Sequence, residues 1–234
     1  MAMVVHIMSI ELQNDLALAR LMQLISPSLP IGGYSYSQGI EWAVDADWIS
    51  TADDLYDWLE GLLNTNMRYL ELPILQRMLE AWVEMDVDCL RHWNENLIAS
   101  RETEELRLEE TNRARAFSQL LVSLIPEARQ VDPMLWRTQT ACYSFACQRW
   151  NIEFDAAAYG FLWSWLENLV LSAVKIIPLG QTDGQKTIFK LASIIPDIVK
   201  QARDINDDDI GTSSMALAIA SAQHETQYTR LFRS

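Results

Sequence analysis

The chain has 234 residues, half of them apolar and nine of them tryptophan, which is enough to bury a sizeable core and too apolar for a disordered chain. Thirty-two Asp and Glu against eighteen Lys and Arg give a formal charge of -14, a surface that repels nucleic acid and anionic lipid and suits a basic protein partner. Three cysteines, Cys89, Cys142 and Cys147, show no CxxC spacing, so the expectation is a reducing compartment without a disulfide framework.

No basic region followed by an apolar run opens the sequence, and no secretory signal is expected. Met8 offers a second start, so residues 1–7 are set apart from a domain expected over residues 8–234. A helix is expected from Leu12 to Ile25, on Leu16, Leu18, Leu21, Leu24 and Ile25. Ser26 to Gly39 (SPSLPIGGYSYSQG) holds two prolines and three glycines and reads as a loop with specific backbone demands. Helix resumes from Ile40 to Trp48. Ser50 with Asp53 reads as a capping-box start, and Leu55, Trp58, Leu59, Leu62 and Leu63 follow at amphipathic spacing.

Pro73 suits a first helical turn. Leu75, Met78, Leu79, Trp82 and Val83 make the next stripe, and Leu90, Trp93, Leu97 and Ile98 a third. Ser100 to Leu124 is a long helical pattern with a heavily charged first half. Two readings of that half stand: a solvated helix laced with i, i+4 ion pairs, or a docking face. Asp132-Pro133 reads as a cap and a first-turn proline, ahead of Trp136, Thr140, Tyr143, Cys147 and Trp150.

The longest apolar run lies within Asp155 to Lys190. Asp155 is expected to cap it, and the residues from Phe161 to Ile177 cover every face of a helix, so it is buried in a protein or a membrane. Glu167, Asn168 and Lys175 interrupt it, and a charge near a bilayer centre costs on the order of 3 kcal/mol. The expectation is therefore a buried central helix. Pro178 ends it, and Pro178 to Lys186 (PLGQTDGQK) reads as a polar loop. Leu191 to Ala202 keeps helical spacing, with Pro196 imposing a kink or two shorter helices. Asp204 to Ser214 reads as an acidic loop, Met215, Ala218, Ile219 and Ala222 as the start of the last helix, and Leu231 and Phe232 as exposed apolar residues in the tail.

No period-2 pattern, fixed repeat or linker appears. The fold class is all-α: a single-domain bundle of about ten helices around a buried central helix. Chemistry is harder to find. The three histidines are far apart, and Cys142 and Cys147 point to different faces of a helix, so no metal site is expected. Between Gly180 and Lys186 the spacing fails that of a phosphate loop. Ser35 and Ser37 have no histidine nearby in sequence to activate them. No catalytic residue and no cofactor is expected. The alternative is a helical enzyme or small-molecule-binding protein with a pocket beside the 178–186 loop.

Three stretches, Leu21 to Val44, Leu162 to Gln185 and His224 to Ser234, resemble the urease accessory protein UreF family, in family order. The resemblance implies an all-helical cytoplasmic protein without hydrolase activity of its own, commonly a homodimer, that helps insert nickel into urease. It implies partners: a UreD/UreH-type accessory protein, the GTPase UreG and apo-urease, with GTP hydrolysis modulated. It marks 224–234 as a partner-binding tail that becomes ordered on the UreD-type protein, with Leu231 and Phe232 buried there, Arg230 and Arg233 paired with carboxylates, and Tyr228 alongside. Glu41 and Lys175, then Gln181 and Gln185, are implied for the GTPase face, and Tyr34 and Ser35 of the loop are implied as partner-binding without an assigned partner. Two local roles compete: Glu41 capping the loop's amides, and Lys175 satisfying carbonyls at its helix's end.

Overall fold

The computed structural model describes residues 15–234; the first residues of the expected first helix, residues 1–7 and Met8 lie outside them. Helices α1 (residues 15–25), α2 (Ile40–Asp45), α3 (Ala52–Leu62), α4 (Leu72–Glu84), α5 (Val87–Ala99), α6 (Glu104–Leu124), α7 (Gln139–Arg149), α8 (Phe154–Ile176), α9 (Gln181–Ala192), α10 (Ile195–Arg203) and α11 (Met215–His224) follow in order, and no strand occurs among the described residues. The all-α expectation holds. No helix among these residues is long and apolar enough to cross a membrane.

Capping chemistry sets most helix starts. Thr51, not Ser50, caps α3, accepting from the Asp54 amide while Asp54 accepts from the Thr51 amide. Thr103, Thr138 and Ser214 cap α6, α7 and α11 in the same way, satisfying amides that a first turn leaves open. Asp155 does not cap α8. It lies in the first turn and pairs with Arg203 of α10, while Glu153 occupies the cap position without a side-chain bond.

Between α3 and α4 the chain stays helical but widens into a π-helix over Leu63–Glu71. Such i→i+5 stretches are rare and frequent at functional sites. Pro73 brings no amide for the Tyr69 carbonyl one turn back; the Gly211 amide donates to that carbonyl instead, at 2.9 Å. The wide turns bring Leu62, Asn66, Met67 and Glu71 to one side, where all four line an internal cavity.

Helix α8 runs through the middle and touches α2, α4, α9 and α10. Its burial is incomplete, because Tyr159 and Trp163 face outward. Its polar residues have separate fates: Asn168 and Ser172 bind the loop before α2, and half-burial pushes the Glu167 carboxyl up. Trp82 of α4 packs against Trp136 and Phe145 and donates to Ser144 at 3.1 Å, locking α4 onto α7.

Five local expectations are corrected. Residues 181–186 are the first turns of α9, not loop: the glycine-rich stretch whose spacing fails that of a phosphate loop is a helix start, with Gly184 packed so closely that an added Cβ would lie 2.9 Å from Val174. Helix α2 ends at Asp45 rather than Trp48. Val83 is 68% exposed, outside its stripe. In α11 the inward residues are Leu217, Ala220, Ser221 and His224, not Met215 or Ile219. The charged half of α6 is solvated on one side only: Glu104, Arg107, Asn112 and Arg115 are exposed and Glu109 pairs with Arg113 at i, i+4, but Glu109 and Glu110 are buried. Pro196 does give two shorter helices, α9 and α10.

Candidate functional site

The loop before α2 is built onto α8. Asn168 donates to the Gly33 carbonyl at 2.8 Å, Ser172 reaches the Tyr36 carbonyl at 3.4 Å, and the Trp165 indole donates to the Gln38 side chain at 3.0 Å. Gly39 ends the loop at φ 78°, with the place of a Cβ only 3.0 Å from Ala220 and 3.1 Å from the Ser221 amide nitrogen. Only glycine suits both the left-handed backbone and that close approach, which lets α11 sit on the start of α2.

That contact places His224, the last residue of α11, in a fully buried position between two carboxylates. Its Nδ1 lies 2.6 Å from Glu105 of α6 and its Nε2 lies 3.3 Å from Glu41 of α2. Glu41 is itself buried and accepts the Leu231 amide at 2.6 Å and the Phe232 amide at 2.9 Å. Glu105 also takes Arg230. The segment after α11 is thereby held on the body without forming a helix or strand.

The last residues continue the same docking. The Arg233 amide donates to the Ser35 carbonyl at 2.9 Å. The Ser37 amide and hydroxyl both donate to the Ser234 carbonyl oxygen at 2.6 Å, and the Ser234 hydroxyl donates to Glu109 at 2.9 Å. Phe232 is buried, with the Lys175 ammonium 5.4 Å from its ring centroid, a cation–π distance.

Glu109 joins this site to a polar cavity of about 50 Å³ behind it, room for a few waters. There Arg101 bridges Glu71 and Glu110, 2.6 Å from each, and Arg113 pairs with Glu109 at 2.9 Å. Burial pushes the Glu71 carboxyl up, and Arg101 opposes this only in part. Burial alone lowers the Arg101 affinity for its proton, but Glu71 and Glu110 outweigh it and hold the guanidinium charged.

The structure thus brings together Ser35, Glu41, Lys175, Arg230, Leu231, Phe232 and Arg233 of the expected residues. Glu41 caps amides of the last segment rather than those of its own loop. Lys175 sits over Phe232. Of the apolar pair in the tail, Phe232 is covered by this chain and Leu231, 63% exposed, is left outward; Arg230 has its carboxylate partner within this chain. Tyr34 and Tyr228 are exposed. Gln181 and Gln185 lie on the outer face of α9, with no hydrogen bond to this cluster among the described residues. Glu105 escaped the sequence reading, and it gives His224, Ser37 and Asn168 no role in this site. For His224 a signal existed: it continues the Leu217, Ala220, Ser221 stripe at helical spacing, which marks a buried position.

The arrangement holds side chains and backbone of distant stretches in fixed positions. His224 has both ring nitrogens engaged and no exposed surface, so it has no open side from which to take a proton from a substrate. Among the described residues no three His, Cys, Asp or Glu side chains converge on a metal position.

Residues 49–192 match the profile of the UreF family. The chain belongs to the UreF family of urease accessory proteins. A urease accessory protein UreF from Alcanivorax borkumensis is 50% identical over 228 residues, covering 94% of this chain and all of that protein. Those of Hahella chejuensis and Alkalilimnicola ehrlichii are 42% and 43% identical, over 94% and 97% of this chain and 99% and 100% of their own length. The UreF profile match stops short of both the 33–39 loop and the 224–234 segment, whereas these relatives align along 94–97% of the chain.

Proposed function

We propose that this UreF-family chain is a non-enzymatic adaptor and GTPase regulator in urease maturation. With a UreD/UreH-type protein it recruits the GTPase UreG to apo-urease and modulates GTP hydrolysis while nickel, the cargo, is delivered. It works in the cytoplasm as a homodimer. The observation that carries this reading is the docked face: Ser35 of the loop, Glu41, Lys175 at the end of α8 and the segment with Arg230, Leu231, Phe232 and Arg233 are held together by hydrogen bonds, an ion pair and a cation–π contact, with Tyr34 and Tyr228 exposed on the same two stretches. A surface so held presents fixed aromatic and charged side chains at little ordering cost on binding.

The test is a pull-down of purified UreD-type protein, UreG and apo-urease by the full chain, beside a chain ending before His224 and a Phe232→Ser variant. Retention of all three by the full chain, loss of the UreD-type protein by both variants, and no turnover by the chain alone are expected. Equal retention by all forms removes the segment from the interface, and no retention by the full chain removes the adaptor role.

A further inference from the structure

The chain contains four lysines, and all of them fall between Lys175 and Lys200. Within that stretch the sequence has two acids, Asp183 and Asp197, so the end of α8, α9 and α10 carry a positive balance in a protein of net charge -14, while α3, on which α9 packs, carries Asp53, Asp54, Asp57 and Glu60. Helix α9 is the centre of this stretch. Its inner side, with Gly184, Thr187, Ile188 and Leu191, packs on α3 and α8.

Its outer side is unusual for a surface helix. Phe189 is 82% exposed. By the 3.6-residue turn it sits mid-arc, with Gln181 and Gln185 along one flank and Lys186 and Lys190 along the other. A large aromatic ringed by polar groups is the make-up of a binding hot spot. The lysines' own partners are weak competitors. Lys186 pairs with Asp183 at 3.0 Å while 68% exposed, and Lys190 stands 3.7 Å from Asp53 of α3 while 61% exposed, its ammonium 5.9 Å from the Tyr56 ring centroid. Exposed pairs of this kind contribute about 1 kcal/mol or less, so a partner's carboxylates can replace them.

The geometry points to α9 as a docking helix whose anchor is Phe189, for a protein partner that offers an apolar pocket rimmed by Asp and Glu. This rests on the adaptor reading above and places one of the adaptor's contacts on α9, centred on Phe189 rather than on the glutamines. The general acidity of the chain attracts basic partners elsewhere; here Lys186 and Lys190 place two exposed ammonium groups beside Phe189, each with one exposed aspartate, Asp183 or Asp53, as its exchangeable partner. It is not a lipid or nucleic-acid site, because four lysines in a chain of charge -14 cannot offset repulsion from a polyanion.

The full chain, its Phe189→Ser variant and its Lys186→Glu/Lys190→Glu variant are passed separately over immobilised UreD-type protein, UreG and apo-urease. A benzophenone amino acid at position 189 maps the contact. Phe189 is exposed, so the folded state, checked by thermal melting, is expected to be unchanged. Expected is at least a tenfold loss of affinity for one of the three in both variants, a wild-type affinity for that protein that falls with added salt, and a crosslink from 189 into its acidic surface. Wild-type affinity of Phe189→Ser for all three overturns the inference and leaves the adaptor reading standing, as does a crosslink found only to a second copy of this chain. Failure of the wild-type chain to bind any of the three overturns both.

Discussion

Helix α6 carries two neighbouring carboxylate clusters, and they are neutralised in different ways. Around Glu110 the counter-charge is Arg101, which also takes Glu71, so a guanidinium ties α6 to the π-helix. Around Glu105 it is Arg230, and His224, within hydrogen-bond distance of Glu105, also touches Glu41, whose oxygens hold two backbone amides of a segment without regular structure. The first cluster joins helix to helix. The second joins a segment without regular structure to the helices. A cluster that holds the core is part of global stability, whereas one that holds a segment can open by itself, as local unfolding units do.

Replacing Arg101 by Met gives the largest expected effect, because it leaves Glu71 and Glu110 buried without their cation. About 3–5 kcal/mol of unfolding free energy is lost, read by urea denaturation; a loss below about 1 kcal/mol would mean that the cavity's waters screen the pair. Phe232→Ala comes next and should behave differently. A core Phe→Ala change costs about 3–5 kcal/mol where nothing can move, but here the segment undocks first, so the fall in global stability is capped. Faster amide exchange confined to Leu231 and Phe232 is the expected signature; a fall in global stability as large as that of Arg101→Met would show that the two clusters open together.

Glu41→Gln weakens two amide acceptances and the His224 contact, about 1–3 kcal/mol on segment docking, again read by amide exchange. Glu71→Gln sharpens the contrast from the other side. Burial raises the Glu71 carboxyl, so the folded state prefers it protonated: its contribution is full below the ordinary glutamate range and is lost as pH rises through the raised folded-state value. The variant should therefore lose part of the wild-type decline in stability with rising pH; identical profiles for both would remove Glu71 as its source. Lys175→Gln is the smallest, about 0.5–1 kcal/mol of segment docking at an exposed cation–π contact.

Much of this architecture was legible residue by residue. Leu55, Leu59, Leu62 and Leu63 are buried as their spacing required, and Pro196 divides α9 from α10. Misreadings fell where neighbours overrule local pattern. Thr51 and Ser50 are both competent caps, and the reciprocal pair that forms is Thr51 with Asp54, not Ser50 with Asp53. Residues 181–186 look like loop because Gly180 and Gly184 are poor helix formers, yet Gly184 is there to let α9 close on α8. The docked face was legible as a set of stretches and illegible as a surface: Glu41 and Phe232 are 191 positions apart, and nothing in their local sequence states that one holds the other.

By itself the sequence determined the helical class and the long run that becomes α8, because hydrophobic period and capping residues act over a few positions. It could not state which of thirty-two acids turn inward, nor that the stretch from 181 to 200, with three of the four lysines, would present Phe189 to solvent. Those outcomes belong to the tertiary structure. An isolated carboxylate strongly prefers water, and only the arrival of Arg101, His224 or a backbone amide from a distant part of the chain makes its burial tolerable.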